Sequence, residues 1–223
     1  MSEVSVITID GPAGSGKGTI AQRVAGILSW QILDSGALYR LVAHAALNKQ
    51  CSFDDHAGLA DIARHLDVTF QAQDTGGVLS ILEGADVTTA IRSETAGEAA
   101  SKVAAVPEVR EALLERQRAF AQLPGLVADG RDMGTVVFPH ATLKIYLTAS
   151  AEVRAQRRLK QLKDHGLNAN LAGLISDIQE RDARDMNRTH APLKPAEDAF
   201  IIDTSELSID EVVAKVIGFY ESH

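Results

Sequence analysis

Apolar residues in this chain gather in short runs separated by stretches with helical spacing. The runs lie at residues 4–9, 31–33, 126–128, 143–147 and 200–202. Each is too short for a helix and most lack strict alternation, the pattern of strands buried on both faces. Between them Ile20, Val24, Ile27 and Leu28 recur at helical spacing. Further helices are predicted from about Ala37, through a long stretch after Leu147, and from about Ile209. Strands alternating with helices predict an α/β fold, a doubly wound parallel sheet. In such sheets ligands sit beyond the carboxyl ends of the strands. Three polar clusters are predicted to follow strands: Asp34-Ser35-Gly36, Asp129-Gly130-Arg131-Asp132 and Asp203-Thr204-Ser205.

Residues 67–92 break this rhythm. Two strand-like segments, 68–70 and 78–82, flank a turn at 74–77, and a second turn at 83–86 leads to a short strand around Val87. This predicts a small antiparallel insertion, either a plain β-excursion or a flap over a substrate.

The first run leads directly into Gly11, Pro12, Ala13, Gly14, Ser15, Gly16, Lys17, Gly18 and Thr19. Strand, glycine loop and helix in that order make a P-loop. Its glycines let backbone N–H groups converge on an anion, the helix adds the positive end of its dipole, and Lys17 adds a full charge. The usual motif places Ser or Thr directly after the lysine. Here Gly18 takes that position and the hydroxyl follows at Thr19, which points away from GTPases and general ATPases and toward small-molecule kinases.

Composition narrows the field. At 223 residues the chain suffices for one α/β domain with insertions or two small domains. A net charge of -8 and an aromatic content of 4% argue against a polynucleotide partner, which needs basic surface and stacking platforms. The single cysteine, Cys51, forms no intrachain disulfide, fits a reducing compartment and reads as a passive thiol. Glu3 stands where a secretory leader would carry basic residues, and no apolar run has membrane-spanning length. A soluble cytoplasmic protein is expected.

Two helical regions carry candidate chemistry. Arg154, Arg157, Arg158, Lys160 and Lys163 form a basic stretch, either a solvated helix face or a closing element over phosphates. Leu171, Leu174, Ile175 and Ile178 form an apolar stripe whose continuation reaches Asp185, flanked by Arg181 and Arg188, with Arg184 farther round. That face is either an exposed end laced with ion pairs or a core face entering a polar cavity. Asp129 follows a strand as the acidic residue of P-loop proteins does, where a carboxylate holds Mg²⁺ directly or through water.

Several segments together resemble bacterial-type cytidylate kinases, of the P-loop nucleoside monophosphate kinase family. They are the glycine loop, Leu33-Asp34-Ser35-Gly36-Ala37-Leu38-Tyr39-Arg40, residues 128–135, Glu180-Arg181-Asp182-Ala183-Arg184-Asp185, Arg188, Ala191-Pro192-Leu193 and residues 200–205. The resemblance covers nearly the whole chain. It implies a single P-loop kinase domain over residues 1–223, with a monophosphate-binding region at about 34–105 and a short helical lid at about 151–168. It implies transfer of the ATP γ-phosphoryl group, with Mg²⁺, to CMP or dCMP by a monomer. Carried over by position, Ser101, Arg110 and Asp132 would read cytosine. Arg40, Arg131 and Arg181 would hold the acceptor phosphate with Ser35 beside it, and Asp185 and Arg188 would meet the sugar. Lys17, Arg131, Arg181 and the lid residues Arg157 and Arg158 would carry catalysis, with Mg²⁺ near Thr19 and Asp129.

Cytosine chemistry agrees with that assignment, since a carboxylate at Asp132 can accept from the exocyclic amino group and Arg110 can donate to the ring acceptors. Two other readings compete with it. One is a P-loop kinase acting on UMP, AMP or shikimate. The other is a nucleotide switch, which needs an Asn-Lys-x-Asp motif; Asn48-Lys49-Gln50-Cys51 lacks the aspartate.

Overall fold

The computed structural model describes residues 4–72, 78–164 and 168–222. The chain divides into two compact units, one of Met1–Asp34 with Gln117–His223 and the other Ser35–Arg116.

The first unit is built on five parallel strands. They are β1 (Val6–Asp10), β2 (Gln31–Asp34), β6 (Leu126–Gly130), β7 (Leu143–Thr148) and β8 (Phe200–Asp203), in the order β2-β6-β1-β7-β8. Central β1 and β6 are buried at every residue, whereas the edge strands β2 and β8 each bury one. This explains why the central strands read as apolar runs. Helix α1 (Lys17–Leu28) and helix α8 (Ile209–Glu221) share a core with the sheet, in which Ile20, Val24, Val212 and Val216 join Ile7, Ile9, Val127 and Ile145. A capping box closes the start of α8, with Ser208 and Glu211 each bonding the other's backbone N–H. Between β7 and β8 run α6 (Ala151–Asp164) and α7 (Leu171–Met186), packed on one another.

The second unit opens with α2 (Ser35–Asn48), continues through α3 (His56–Arg64), and includes α4 (Glu94–Val103) and α5 (Pro107–Arg118), whose last two residues reach into the first unit. The antiparallel insertion is a three-stranded sheet of β3 (Val68–Ala72), β4 (Val78–Leu82) and β5 (Ala85–Asp86). Its third strand pairs Ala85 and Asp86 with β4, so it precedes Val87, the position expected from sequence. The N–H of Val87 still donates to the Ser80 carbonyl at 3.0 Å. The expected turn at 74–77 lies outside the described residues.

Two kinds of boundary differ from expectation, each for a reason that lies in the backbone. Asp34, Asp129 and Asp203 do not follow their strands but belong to them. Asp34 is in register with Asp129, Ile9 with Asp129, and Thr148 with Asp203. The ladder needs only backbone groups, so it outlasts the apolar run by one or two residues. Helix α2 likewise begins at Ser35 rather than about Ala37, because N–H groups of a first turn need no intrahelical acceptor and tolerate Ser and Gly there.

Candidate active site

The glycine loop leaves the buried end of β1 in the first unit. A side chain at Gly11 would place its Cβ 2.3 Å from the Leu147 carbonyl oxygen, so only glycine passes there. Gly14 has φ +77°, a left-handed conformation, and its Cβ would lie 3.2 Å from the Cβ of Arg154. The loop's carbonyls are tied back by the protein. Lys17 Nζ donates to the Pro12 carbonyl at 3.1 Å, and Arg154 donates to that of Ala13 at 3.0 Å. The Thr204 hydroxyl lies 3.2 Å from the Ser15 carbonyl. The Ser15 hydroxyl itself is buried and has no hydrogen-bond partner among the described residues. A buried unpaired hydroxyl is costly unless a ligand satisfies it, and an anion in the loop would.

Charge at this point is concentrated. Burial pushes the Lys17 ammonium down to about 7, and the positive charges of Arg131 and Arg181 act in the same direction, against Asp129 and Asp34. Arg131 and Arg181 thus both bear on Lys17. Asp10, the last residue of β1, is also buried. Its two carboxylate oxygens accept from the backbone N–H groups of Met133 at 2.9 Å and Gly134 at 2.8 Å. Burial nevertheless raises its carboxyl to about 7, the two backbone bonds opposing.

Asp129 sits 7% exposed beside the start of α1, where an ideal Cβ on Gly18 would stand 3.1 Å from its Oδ2. Thr19 is exposed on the first turn of α1. A carboxylate and a hydroxyl suit a hard cation that takes its remaining ligands from phosphates and water, as Mg²⁺ does. Among the described residues no group of three or more His, Cys, Asp or Glu side chains could hold a metal by itself.

On α7 the apolar face does turn polar. Asp185 is 1% exposed and accepts from Arg131 Nε at 3.1 Å and from Arg188. Burial pushes its carboxyl up, but Arg131, Arg188 and Arg181 together hold it below the usual carboxylate range. Asp132 is buried after β6, where its carbonyl accepts from Val136 and Val137 in the π-helical turn Met133–Val137.

The basic stretch of α6 divides by position. Arg157 donates to the Thr204 hydroxyl at 3.1 Å and the Thr204 carbonyl at 2.5 Å, and Arg158 to Gln161 at 3.3 Å. Lys160 and Lys163 are exposed. Arg154 is buried and forms an ion pair with Asp182 of α7. In the sequence Arg154 stands out only as one of the basic stretch, and Asp182 carries no assigned role. A signal existed, because Leu174, Ile178, Asp182 and Asp185 continue one face at spacings of four, four and three.

The other predicted residues belong to the second unit. Ser35 is buried at the start of α2, and Arg40 on the same helix donates to the Ile91 carbonyl at 3.2 Å. Ser101 is buried in α4. Arg110 of α5 donates to the Ala104 carbonyl at 3.2 Å and lies over the Tyr39 ring, 5.6 Å from its centroid. Cys51 fits the passive reading, with burial and Asp55 raising its thiol.

Residues 7–222 match the cytidylate kinase family model. The chain belongs to the cytidylate kinase family. Relatives named cytidylate kinase include one from Shewanella loihica, 59% identical over 93% of this chain and 90% of its own. Another from Stutzerimonas stutzeri is 60% identical over 96% and 94%, and one from Shewanella baltica is 60% identical over 98% and 96%. Membership in the cytidylate kinase family therefore extends through both units and through the β insertion.

Proposed function

We propose that this protein transfers the γ-phosphoryl group of ATP to CMP and dCMP, releasing ADP and the nucleoside diphosphate. The observation that carries the reading is the glycine loop itself, whose buried Ser15 hydroxyl has no partner among the described residues and whose Lys17 ammonium is buried. Burial together with the charges of Arg131 and Arg181 disfavours the charged lysine, and a bound polyanion would reverse that.

In this reading Gly11, Pro12, Ala13, Gly14, Ser15, Gly16, Lys17, Gly18 and Thr19 hold the donor phosphates through backbone N–H groups, hydroxyls and the ammonium. Arg131 and Arg181, with Arg157 and Arg158 of α6, stabilise charge on the transferring group. Phosphoryl transfer depends chiefly on alignment and neutralisation. The acceptor oxygen belongs to a phosphate already anionic near neutral pH, so no general base is required. Asp129 and Thr19 would hold Mg²⁺, which supplies charge neutralisation and orientation of the donor phosphates.

On the acceptor, Arg40, Arg131, Arg181 and Ser35 serve the phosphate and Asp185 and Arg188 the sugar. Ser101, Arg110 and Asp132 read the base. Against UMP, Asp132 would face a carbonyl oxygen instead of an amino group, and sites of this kind discriminate by roughly 10⁴ or more. The test is ADP formation from ATP and Mg²⁺ with CMP, dCMP, UMP, AMP and shikimate as separate acceptors. Turnover confined to CMP and dCMP is expected. Turnover preferring any other acceptor, or none, overturns the assignment.

A further inference from the structure

The guanidinium of Arg154 makes four hydrogen bonds. Nε donates to the Ala149 carbonyl at 3.0 Å, where β7 gives way to α6. One terminal nitrogen reaches both the Ala13 carbonyl of the glycine loop at 3.0 Å and Asp182 Oδ1 at 3.1 Å, and the other reaches Asp182 Oδ2 at 2.5 Å. The pair is inaccessible, with side-chain exposures of 5% and 12%. A planar donor fork seated on a carboxylate has little freedom left, so it holds its third partner in place. That third partner is the backbone of the phosphate loop.

The loop works as an anion nest only while its N–H groups face inward, which requires its carbonyls to face outward and stay there. Arg154 fastens the carbonyl of Ala13, directly before Gly14, whose left-handed backbone turns the chain against the Arg154 side chain. Asp182 fastens Arg154 in turn, from the residue next to Arg181. One carboxylate thus links the shape of the donor loop to the helix carrying a phosphate-facing arginine.

We propose that Arg154, locked by Asp182, is a positioning residue for the phosphoryl donor: it holds the glycine loop in its anion-binding conformation from behind and touches no substrate itself. Arg154 then differs in role from its neighbours Arg157 and Arg158 on the same basic stretch. A lysine could keep the charge but could not span Ala13, Ala149 and both oxygens of Asp182. The proposal rests on the reading of this loop as an ATP site.

The test is calorimetric titration of MgATP into wild-type, Arg154→Lys, Asp182→Asn and double-variant protein, with thermal melting to certify folding. MgATP binding is expected to weaken roughly tenfold in each single variant, the order of losing one charge-assisted hydrogen bond. The double variant is expected to be no worse than Arg154→Lys, because the two residues act as a unit. A merely structural role would lower the melting temperature and the number of competent sites while leaving their Kd unchanged. If Arg154→Lys does not fold, Asp182→Asn alone decides. A Kd within twofold of wild type in folded Asp182→Asn, or multiplying effects in the double variant, overturns the proposal. Failure of the wild-type protein to bind MgATP would instead overturn the ATP-site reading beneath it.

Discussion

Gly18 of α1 lies directly against the carboxylate of Asp129 in β6. A methyl group on Gly18 would stand 3.1 Å from Asp129 Oδ2, closer than ordinary contact, so a side chain after Lys17 would oblige that carboxylate to give way by a few tenths of an ångström.

Replacing Gly18 with Ala should therefore separate stability from activity. Alanine in a helix is favoured over glycine by about 0.5–1 kcal/mol, so the melting temperature should hold or rise slightly. The displaced Asp129 carboxylate should lower kcat by about tenfold and raise the Mg²⁺ concentration needed for half-maximal rate. A metal titration of activity beside a thermal melt checks both; an unchanged Mg²⁺ requirement would exclude Asp129 from metal binding.

Lys17→Met should lower kcat by about 10²–10³, the loss typical of removing one donor to transition-state charge. Burial and the repulsion of Arg131 and Arg181 outweigh the attraction of Asp129 and Asp34 on this ammonium, so its removal should cost the unliganded protein no more than its bond to the Pro12 carbonyl, about 1 kcal/mol. Steady-state turnover with CMP and a melt without nucleotide are the measurements, and near-normal turnover would end the lysine's assignment.

Asp10 predicts a pH dependence of a particular sign. Its carboxyl is raised in the folded protein from 3.8 to about 7, because burial disfavours the charge. The folded state then binds more protons than the unfolded one across this interval. Stability from this group is complete below about pH 4 and is lost as pH rises through 7. The melting temperature of the wild type minus that of Asp10→Asn should be largest near pH 4–5 and shrink toward pH 8. A difference that grows with pH would show that the two N–H bonds from Met133 and Gly134 outweigh burial.

Asp132→Ala should erase the preference for CMP over UMP while leaving MgATP affinity within about twofold. The ratio of kcat/KM for the two acceptors is the readout. Selectivity retained in the variant would remove Asp132 from base recognition.

Much of this could be read from residue order alone. Central strands buried on both faces are mostly apolar, so 4–9, 126–128 and 143–147 announced themselves, and the glycine loop followed the first of them in the only order a P-loop allows. The interrupted rhythm at 67–92 marked the antiparallel sheet because short strand-like segments joined by tight turns pair back on themselves. Helices α3, α4 and α5 leave a weaker pattern, because α3 is short and α4 and α5 are separated only by a brief turn that makes no distinct break in periodicity.

Pattern could not assign partners to the arginines. Arg154, Arg157 and Arg158 look alike along the chain, yet Arg154 lies buried on Asp182 and Ala13 while Arg157 rests on Thr204. Asp182 and Asp185 lie on one face of α7, and the structure gives the first to Arg154 and the second to Arg131 and Arg188. The sequence by itself determined the sheet, the phosphate loop and the family, because these depend on periodicity and local backbone freedom. Only the tertiary structure decided which charge neutralises which, because Arg154 meets Asp182 across 28 positions and Arg131 meets Asp185 across 54, contacts that exist only once α6, α7 and the end of β6 have packed.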